Sequence, residues 1–562
     1  MTRNTSLKET GTAKIIMLGS ANAALLLGAA VEWDCRFFFP DAYDSRILYV
    51  TGVYFLAALV ALCSTGIALR VLNTTENVRN LRVVIAFAIL FRLIHLFATP
   101  FLEVDYFRYM WDGIVCNQGV SPYRYSPDEI LAEPTASANP DQQRLADVAA
   151  NNPSLQTIVS SVHFPEYTTI YPPVSQAVFA ITMGMVPNSG SVELHRFAMK
   201  TILILFDLAT IFTLLRLLRL VAASTGWIIV YAWNPLVIKE IANSGHLDSI
   251  AVFLTTAAVT ILVAWLKHAA SDAHKRRSGK ARLLGFSALL LALGVGAKIF
   301  PVILLPLFAV VLWQTDRRAA IIYCSVFALA TVLFMTPMFL HRISLTGGTG
   351  SQAEASATSR KEGLSSFLSE WRMNDIIFST IYENAKLDRN SQHNQAWYVA
   401  TPKTVRVRWH EFIRRSHLSG NPAFFAARLL TLAAFCVYYL TILIGLVKRP
   451  ASAEQLPSLV FGVICVFFFL QPTQNPWYWL WALPFVCFAR NPGWLLVAPC
   501  LIGYYLRFWC KHSGVAIAFA GYEYSGGGVF DHCIVWLEFL PVLIAISVCR
   551  SCKSLVPHEL KT

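Results

Sequence analysis

The chain has 562 residues, of which 56% are hydrophobic and only 14% charged, and its mean hydropathy is +0.51. A soluble domain usually carries about 25% charged residues, so the composition excludes an ordinary soluble enzyme. The net charge of +13 would indicate nucleic-acid binding in a soluble protein. Here, however, much of the Lys and Arg lies in short connectors between apolar runs, as the positive-inside rule describes. We therefore expect a membrane protein with no nucleic-acid partner.

Long apolar runs recur along the whole chain, and a helix needs about 20 residues to cross a bilayer. Because lipid offers no hydrogen bonds to the backbone, only helices or closed barrels can cross it, and these runs are too long for barrel strands. The sequence predicts an all-α fold, a polytopic transmembrane helical bundle of about 13 to 15 spans. The predicted spans are residues 15–31, 47–69, 83–101, 172–187, 198–218, 227–241, 248–266, 283–297, 299–313, 320–340, 423–446, 458–471, 477–489, 493–508 and 533–549.

The spans and the segments between them divide the chain into five parts. These are N-terminal transmembrane helices (1–101), a first large loop (102–171), a central transmembrane bundle (172–340), a second large loop (341–422) and C-terminal transmembrane helices (423–562). Basic connectors are expected on the cytoplasmic side, so both large loops are predicted to be extracytoplasmic. Loops this long are uncommon unless they are functional or disordered. Residues 172–187 do not fit this topology: either this segment is re-entrant or one of the predicted spans is wrong.

The twelve cysteines give no sign of a metal site, because no CxxC or Cys/His spacing occurs. Most of them lie inside apolar runs, where Cys behaves as a small hydrophobic residue. Cys510 and Cys533 bracket a predicted outer loop. They could form a disulfide in an oxidising compartment, or they could remain free thiols.

The stretch PFLEVDYFRYMWDG, which follows the third apolar run, concentrates charge at a predicted membrane edge. In a helix, Asp105, Arg108, Tyr109 and Asp112 fall on one face. Burial near the membrane would raise the pKa of Asp105 and make it a better base. With Glu103 the stretch also contains an E-x-D pair. The alternative is an interfacial cap that only orients the helix end, although ionisable residues at membrane depth favour function.

A second polar cluster occurs in YAWNPLVIKEIANSGHLDS. His246 could act as a base, a metal ligand or a donor to phosphate. The alternative is a plain turn capped by Asn243 and Asp248. A plain turn does not require His and Asp together beside the pair Lys239 and Glu240, so the pattern favours function.

Two further motifs lie deeper in the chain. Lys298, between two apolar runs in LLALGVGAKIFPVILLP, either reaches towards an interface or binds an anion, and we favour the anion. The stretch QPTQNPWYWLWALPF places Asn475, Trp477 and Tyr478 together. It is either an interfacial aromatic belt or a carbohydrate-binding surface.

Taken in order, these motifs resemble those of integral-membrane glycosyltransferases of the GT-C superfamily. The segments VDYFRYMWDG with GVSPYRY, YTTIYPPVSQAVF, AWNPLVIKEIANSGHLDS, AKIFPVILLP and QNPWYWLWALPF extend over about residues 83 to 490. They are most similar to glycosyltransferase family 87 and to polyprenol-phosphate-mannose-dependent mannosyltransferases. The resemblance implies a GT-C-like bundle whose first outer loop carries the catalytic acidic residue.

The resemblance also implies roles for individual residues. Asp105 would be the catalytic base, with Glu103 and Asp112 as alternatives because the family's acidic motif varies. Lys298, Arg108 and His246 would bind the donor phosphate. The substrate would also contact Asp248, Tyr109, Trp111, Tyr171, Asn475, Trp477 and Tyr478. No cofactor is required with certainty, although the acids could hold a divalent metal.

The expected reaction moves a sugar, mannose by resemblance, from a polyprenyl-phosphate donor in the membrane lipid to an unidentified glycan, lipid or protein acceptor. It would take place on the extracytoplasmic side of a bacterial inner membrane, with inversion at the anomeric carbon. One alternative is a flippase or transporter of lipid-linked sugars. That alternative predicts mid-span charges and internal repeats, whereas the ionisable residues here cluster on one predicted side. Another is a polymerase or ligase acting on lipid-linked sugars.

Overall fold

The computed structural model describes residues 2–34, 43–72, 78–132, 139–271, 277–346, 363–387, 393–416, 421–489 and 491–549. Within these ranges the chain is almost entirely helical. The exception is a two-stranded antiparallel sheet of β1 (Ala516–Phe519) and β2 (Tyr522–Ser525), which pairs Ala516 with Ser525. The predicted all-α class is therefore confirmed. Parts of both predicted large loops lie outside the described residues.

Nine helices in the described ranges are long and apolar enough to cross a membrane, which confirms a polytopic membrane protein. These helices are Gly11–Asp34, Asp44–Arg70, Val78–Phe97, Val192–Leu220, Asp248–Ala269, Arg317–Leu340, Pro422–Lys448, Pro492–Ser513 and Gly527–Val548. Shorter apolar helices cover Ala281–Ala297, Phe300–Thr315 and Leu456–Leu470. The number of full-length spans is thus smaller than the predicted 13 to 15.

Two of the predicted spans are not continuous membrane-length helices. The predicted span 172–187 contains only the helix Pro173–Gly184, whose 12 residues extend about 18 Å, well short of a bilayer core of about 30 Å. The predicted span 227–241 is broken at Asn234. There the side chain accepts a hydrogen bond from the backbone N–H of Leu236 and starts a new short helix.

A third predicted span, residues 477–489, is likewise not a continuous α-helix. It forms two consecutive 3₁₀ helices, Pro476–Trp481 and Leu483–Phe488. Each carries a proline in its first turn, where the missing N–H is tolerated but a continuous α-helix is interrupted. These residues are nearly all buried, so their apolar character reflects packing inside the protein.

The chain divides into two compact units, each built from segments distant in sequence. The terminal unit comprises Met1–Thr99, Leu214–Lys239 and Ser369–Thr562. The central unit comprises Pro100–Thr213 and Glu240–Leu368.

The helices of the central unit include a run of short, proline-started helices. Its elements are Asp105–Asn117, Pro127–Leu131, Pro140–Ala150, Pro153–Ser160, Pro173–Gly184, Val192–Leu220 (central as far as Thr213), Asp248–Ser271, Arg277–Ala297, Phe300–Leu304, Leu305–Thr315, Arg317–Thr346 and Gly363–Ser369.

The terminal unit contains the N-terminal and C-terminal helices together with the small sheet. Its elements are Thr2–Asp34, Tyr43–Leu72, Val78–Phe97, Thr225–Ile228, Ile229–Ala232, Pro235–Val237, Ile377–Ala385, Lys403–Arg415, Pro422–Lys448, Leu456–Leu470, Pro476–Trp481, Leu483–Phe488, Pro492–Leu496, Val497–Leu501, Ile502–Tyr505, Leu506–Ser513, β1, β2, Gly527–Val529, Phe530–Ile534 and Val535–Val548. The π-helix Ile238–Asn243 begins here and ends in the central unit. Cys510 and Cys533 are both free thiols.

Within the central unit, the helix Asp105–Asn117, which we call the acidic helix, packs closely against Pro173–Gly184. The contact depends on Gly113, since a Cβ atom at this position would lie 2.5 Å from the backbone oxygen of Phe179. The absent side chain therefore lets the two backbones approach each other. This close packing sets the position of the acidic helix against Pro173–Gly184.

We expect Gly113→Ala to destabilise the protein by about 1–3 kcal/mol, because the added methyl group must push the two backbones apart. Gly285→Ala is the matched control, since a Cβ there meets no atom within 4 Å and alanine favours a helix. The thermal unfolding midpoint in detergent checks both variants. Equal midpoints for the two would contradict the close approach at Gly113.

Candidate active site

The start of the acidic helix is held by the carboxylate of Glu103. Its Oε1 accepts hydrogen bonds from the backbone N–H groups of Val104 and Asp105, both at 2.8 Å. Leu102, just before it, adopts a left-handed backbone with φ 51°, which is uncommon for a residue with a side chain. This turn places Asp105 in the first helical turn, where the helix dipole stabilises a negative charge.

The turn after the π-helix is bound to this helix start. The side-chain Oδ1 of Asn243 accepts a hydrogen bond of 2.6 Å from the backbone N–H of Phe101. Gly245 adopts φ +73°, a conformation that glycine allows at little cost. The turn therefore reverses sharply and directs the next residue, His246, back towards the helix start.

His246 lies between two carboxylates. Its Nε2 is 3.2 Å from Oε2 of Glu103 and 3.2 Å from Oε2 of Glu240, and the imidazole is buried. Burial alone would lower the pKa of His246, but Glu103 and Glu240 outweigh it and raise this pKa from 6.5 to about 10. His246 is therefore a cation at neutral pH.

Asp105 is half-buried, and protein atoms surround its carboxylate closely. Burial and the neighbouring charge of Glu103 raise its pKa from 3.8 to about 6, against the opposing influence of His246, Lys298 and the Tyr171 hydroxyl. The Tyr171 hydroxyl donates a hydrogen bond of 3.3 Å to Oδ2 of Asp105. At neutral pH, Asp105 is mostly ionised but more basic than an ordinary aspartate.

Lys298 pairs with Asp248. Its Nζ donates a hydrogen bond of 3.0 Å to Oδ2 of Asp248. The Asp248 side chain is 1% exposed, whereas that of Lys298 is 17% exposed. The carboxylate thus holds a lysine whose side chain is still partly exposed, and a lysine ammonium group can bind an anion.

The structure gives Asp112 and Arg108 structural partners. Oδ2 of Asp112 accepts a hydrogen bond of 2.9 Å from Nε2 of Gln176, and burial raises the pKa of this carboxyl group. Nη2 of Arg108 donates to the backbone oxygens of Phe164 and Tyr167, at 3.0 and 3.2 Å. Arg108 therefore fastens the end of the first large loop to the acidic helix.

The aromatic residues of this region pack against one another. Tyr109 lies edge-on to Tyr171, with ring centroids 5.1 Å apart, and stacks on Phe179 at 4.8 Å. Tyr109 and Trp111 are both almost fully buried, whereas Tyr171 is half-buried. Of these predicted substrate-binding residues, Tyr171 is the one with an accessible surface beside Asp105.

The predicted residues of the QNPWYW segment belong to the terminal unit. Asn475 and Tyr478 are buried, and Trp477 is half-buried. The ring of Tyr478 stacks on Trp481 with centroids 4.5 Å apart, and Trp477 lies edge-on to Tyr504 at 6.2 Å. The segment is an aromatic packing centre with one partly accessible indole.

Sequence reasoning assigned no role to three residues near this centre. Glu240 forms the second ion pair of His246, Gln176 holds Asp112, and the fully buried Lys200 lies against Gly245, 3.4 Å from where its Cβ would be. Glu240 and Gln176 both lie in segments that the sequence analysis singled out, YAWNPLVIKEIANSGHLDS and YTTIYPPVSQAVF, but their partners could not be read from those segments. Nothing in the sequence around Lys200 pointed to this centre.

Together, Glu103, Asp105, Glu240, Asp248, His246 and Lys298 form what we call the charged centre, entirely within the central unit. Among the described residues, no group of three or more His, Cys, Asp or Glu side chains is arranged to hold a metal ion. Here the carboxylates of Glu103 and Glu240 share a protonated histidine. The arrangement combines one basic carboxylate with two nearby cations.

The charged centre thus lies in a chain with many helices able to cross a membrane. The protein is therefore a polytopic helical membrane protein. Comparison with protein families gives a match over residues 10–315, more than half of the chain, to the MptA_B family, described as alpha-(1->6)-mannopyranosyltransferase, N-terminal domain. The chain belongs to the MptA_B mannosyltransferase family, which confirms the resemblance to membrane mannosyltransferases drawn from its motifs.

Among solved structures, the chain is similar to the oligosaccharyltransferase AglB from the archaeon Archaeoglobus fulgidus, in complex with an inhibitory peptide and a dolichol-phosphate. The two share 13% sequence identity with a TM-score of 0.35, and the match covers 85% of this chain. The chain spans 56% of the length of AglB. Comparison with curated proteins gives no match.

The protonation of His246 predicts a pH-dependent stability. Its pKa is about 10 in the folded protein against an ordinary value of 6.5, so its contribution is complete below about pH 6.5 and is lost as the pH rises towards 10. We expect stability to fall over this interval, with a slope of up to about 1.4 kcal/mol per pH unit from this group. Thermal unfolding midpoints from pH 6 to pH 10 measure it.

His246→Gln is the control for this measurement, because it removes the titrating group and should flatten the slope. If the wild-type midpoint is constant across this interval, or if His246→Gln keeps the same slope, His246 is not a buried imidazolium.

Proposed function

We propose that the protein transfers mannose from a polyprenyl-phosphate donor to an acceptor hydroxyl on the extracytoplasmic side of a bacterial inner membrane. Asp105 acts as the general base, and the anomeric configuration is inverted. The observation that carries the proposal is the position of Asp105, at the start of the acidic helix, hydrogen-bonded to the Tyr171 hydroxyl and within the charged centre that also holds His246 and Lys298. Membership of a mannosyltransferase family supports the choice of sugar.

The base must remove a proton from the acceptor hydroxyl as its oxygen attacks the anomeric carbon. A catalytic base works best when its pKa lies near the operating pH, because it is then both ionised and sufficiently basic. Asp105 meets both conditions, whereas an ordinary aspartate is a weaker base. The half-buried Tyr171 places its hydroxyl beside this carboxylate, where the attacking acceptor would be oriented.

The bond that breaks joins the anomeric carbon to the phosphate oxygen of the lipid. Its electron pair leaves with the phosphate, and the acceptor proton is carried by Asp105. A single displacement of this kind inverts the anomeric centre, through a transition state with oxocarbenium character. A departing phosphate needs positive charge rather than an acid, and Lys298 supplies it from its position on Asp248.

His246 and Arg108 have supporting parts in this proposal. His246 is a fixed cation that balances Glu103 and Glu240 and contributes to the positive potential felt by the phosphate. Arg108 positions the end of the first large loop through two backbone carbonyls. A divalent metal is an alternative source of positive charge, and transfer in the presence of a chelator decides between the two.

The extracytoplasmic location rests on the distribution of charge. Glu103 and Asp105 follow the helix Val78–Phe97, and His246 precedes the helix Asp248–Ala269. At their other ends, the first helix carries Arg79 and Arg82, and the second carries Lys267 and is followed by a basic stretch. Basic ends are retained in the cytoplasm, so the charged centre is assigned to the other side.

We expect Asp105→Asn to lower the transfer rate by about 10²- to 10⁴-fold, because the amide cannot accept the proton. The purified variant is assayed with labelled polyprenyl-phosphate mannose and membrane lipid extract, with donor binding measured in parallel. Asp112→Asn is the comparison, since Asp112 is held by Gln176, and its transfer rate should stay within about tenfold of wild type.

Three results would change this assignment. If Asp105→Asn retains full transfer while Asp112→Asn loses it, the base is Asp112. If both retain transfer, Asp105 is not the base. If the wild type consumes no donor but moves it across liposomes, the protein is a flippase.

The pKa of Asp105 predicts the acid side of the pH–rate profile. The rate should fall about tenfold per pH unit below about pH 6, where the carboxylate becomes protonated. Tyr171→Phe removes a hydrogen bond that lowers this pKa, so the fall should begin at a higher pH. Rate constants from pH 4.5 to 8 measure both effects. If the profile of Tyr171→Phe is not shifted, the Tyr171 hydroxyl does not influence the pKa of the catalytic base.

A further inference from the structure

The helix Lys403–Arg415, which we call the basic helix, lies outside the charged centre and outside the region matched by the family. Its sequence, KTVRVRWHEFIRR, contains five Lys or Arg residues and one Glu, a net charge of +4 with histidine neutral. Such a density of positive charge beside an apolar span is typical of segments that meet anionic surfaces.

The basic helix is attached to the first turn of a predicted membrane span. Nε1 of Trp409 donates a hydrogen bond of 2.9 Å to the backbone oxygen of Pro422. Its ring stacks on Phe425 with centroids 6.5 Å apart. Pro422–Lys448 is one of the helices able to cross the membrane. A helix packed on the end of a span lies at the level of the lipid headgroups.

Two further contacts fix the rotation of the basic helix about its axis. Nη1 of Arg406 donates to the backbone oxygen of Lys386 at 3.0 Å. The ring Nε2 of His410 lies 3.0 Å from the backbone oxygen of Ala385. Together with Trp409 and the buried Ile413, these residues form the face of the basic helix that is attached to the protein. The residues on its other side are therefore the ones that face outwards.

A stripe of alternating apolar and basic residues is exposed away from the attached face. Val405 and Phe412 are 52% and 59% exposed, and Arg408 and Arg415 are also exposed. Their spacing of three, four and three residues places all four on one side of the helix. Large exposed apolar side chains interleaved with arginines are suited to the boundary between headgroups and acyl chains.

The neighbouring span indicates what covers this stripe. In the most apolar 18-residue stretch of Pro422–Lys448, only 17% of the residues are buried inside the protein. Apolar side chains such as Leu429 and Leu432 are half-exposed. The span therefore faces lipid. Phe425, on its first turn, is 38% exposed and continues this apolar surface to the basic helix.

We propose that the basic helix binds the anionic phospholipids of the leaflet at the N-terminal end of this span. Arg408 and Arg415 contact lipid phosphates, while Val405 and Phe412 enter the acyl boundary. The inference does not depend on the glycosyl-transfer reaction, because it follows from the charge, exposure and attachment of this helix.

The full-length protein carrying p-benzoylphenylalanine in place of Phe412 tests the proposal. It is reconstituted into vesicles of phosphatidylcholine alone or with phosphatidylglycerol, irradiated, and its crosslinked lipid identified by mass spectrometry. We expect phosphatidylglycerol to be captured well above its share of the bilayer. Adding Arg408→Gln and Arg415→Gln should reduce this enrichment about tenfold or more, because each arginine strengthens attraction to an anionic surface.

Lys403→Gln with Arg414→Gln is the charge-matched control, since both residues are exposed and lie off the stripe. It should retain most of the enrichment, with thermal unfolding midpoints showing that all variants are folded. Capture in proportion to bilayer composition, equal loss in the control, or crosslinking to protein instead of lipid would each overturn the proposal. Lipid capture alone decides the proposal, because donor turnover is a separate measurement and does not report on this lipid contact.

Discussion

The ion pairs of His246 with Glu103 and Glu240 are the interaction on which the arrangement of the charged centre depends. Burying a charge is costly unless it is paired, and here His246 is paired with both Glu103 and Glu240, and Asp248 with Lys298. Glu103 uses one oxygen to hold the start of the acidic helix and the other to bind His246. Position and charge are therefore set by the same carboxylate, and Asp105 is placed as a consequence.

In the proposed mechanism, the same arrangement keeps Asp105 ionised at neutral pH yet more basic than an ordinary aspartate. Burial and Glu103 raise the pKa of Asp105, whereas His246 and Lys298 lower it. The two cations offset part of the negative charge carried by Glu103, Asp105, Glu240 and Asp248. Lys298, whose side chain is 17% exposed, is the cation that the proposal places against the donor phosphate.

The sequence predicted the features that depend on composition and local spacing. It located most of the long apolar helices and the helical face shared by Asp105, Arg108 and Asp112, because these follow from hydropathy and from a period of 3.6 residues. It could not predict partners far apart in the chain, such as Gln176 for Asp112 or the backbone of Phe164 for Arg108. It also overestimated the spans, because apolar 3₁₀ segments buried in protein have the composition of membrane helices.

Glu240 shows most clearly why local periodicity was insufficient. In a regular α-helix, residues six apart point about 240° from each other, so Glu240 and His246 would lie on different faces. The π-helix Ile238–Asn243 widens the backbone by one residue per turn, and Gly245 then reverses it with φ +73°. The two side chains consequently meet at 3.2 Å. Irregular backbone of this kind is less stable than a continued helix and is frequent at functional sites, where the ion pair it creates offsets the cost.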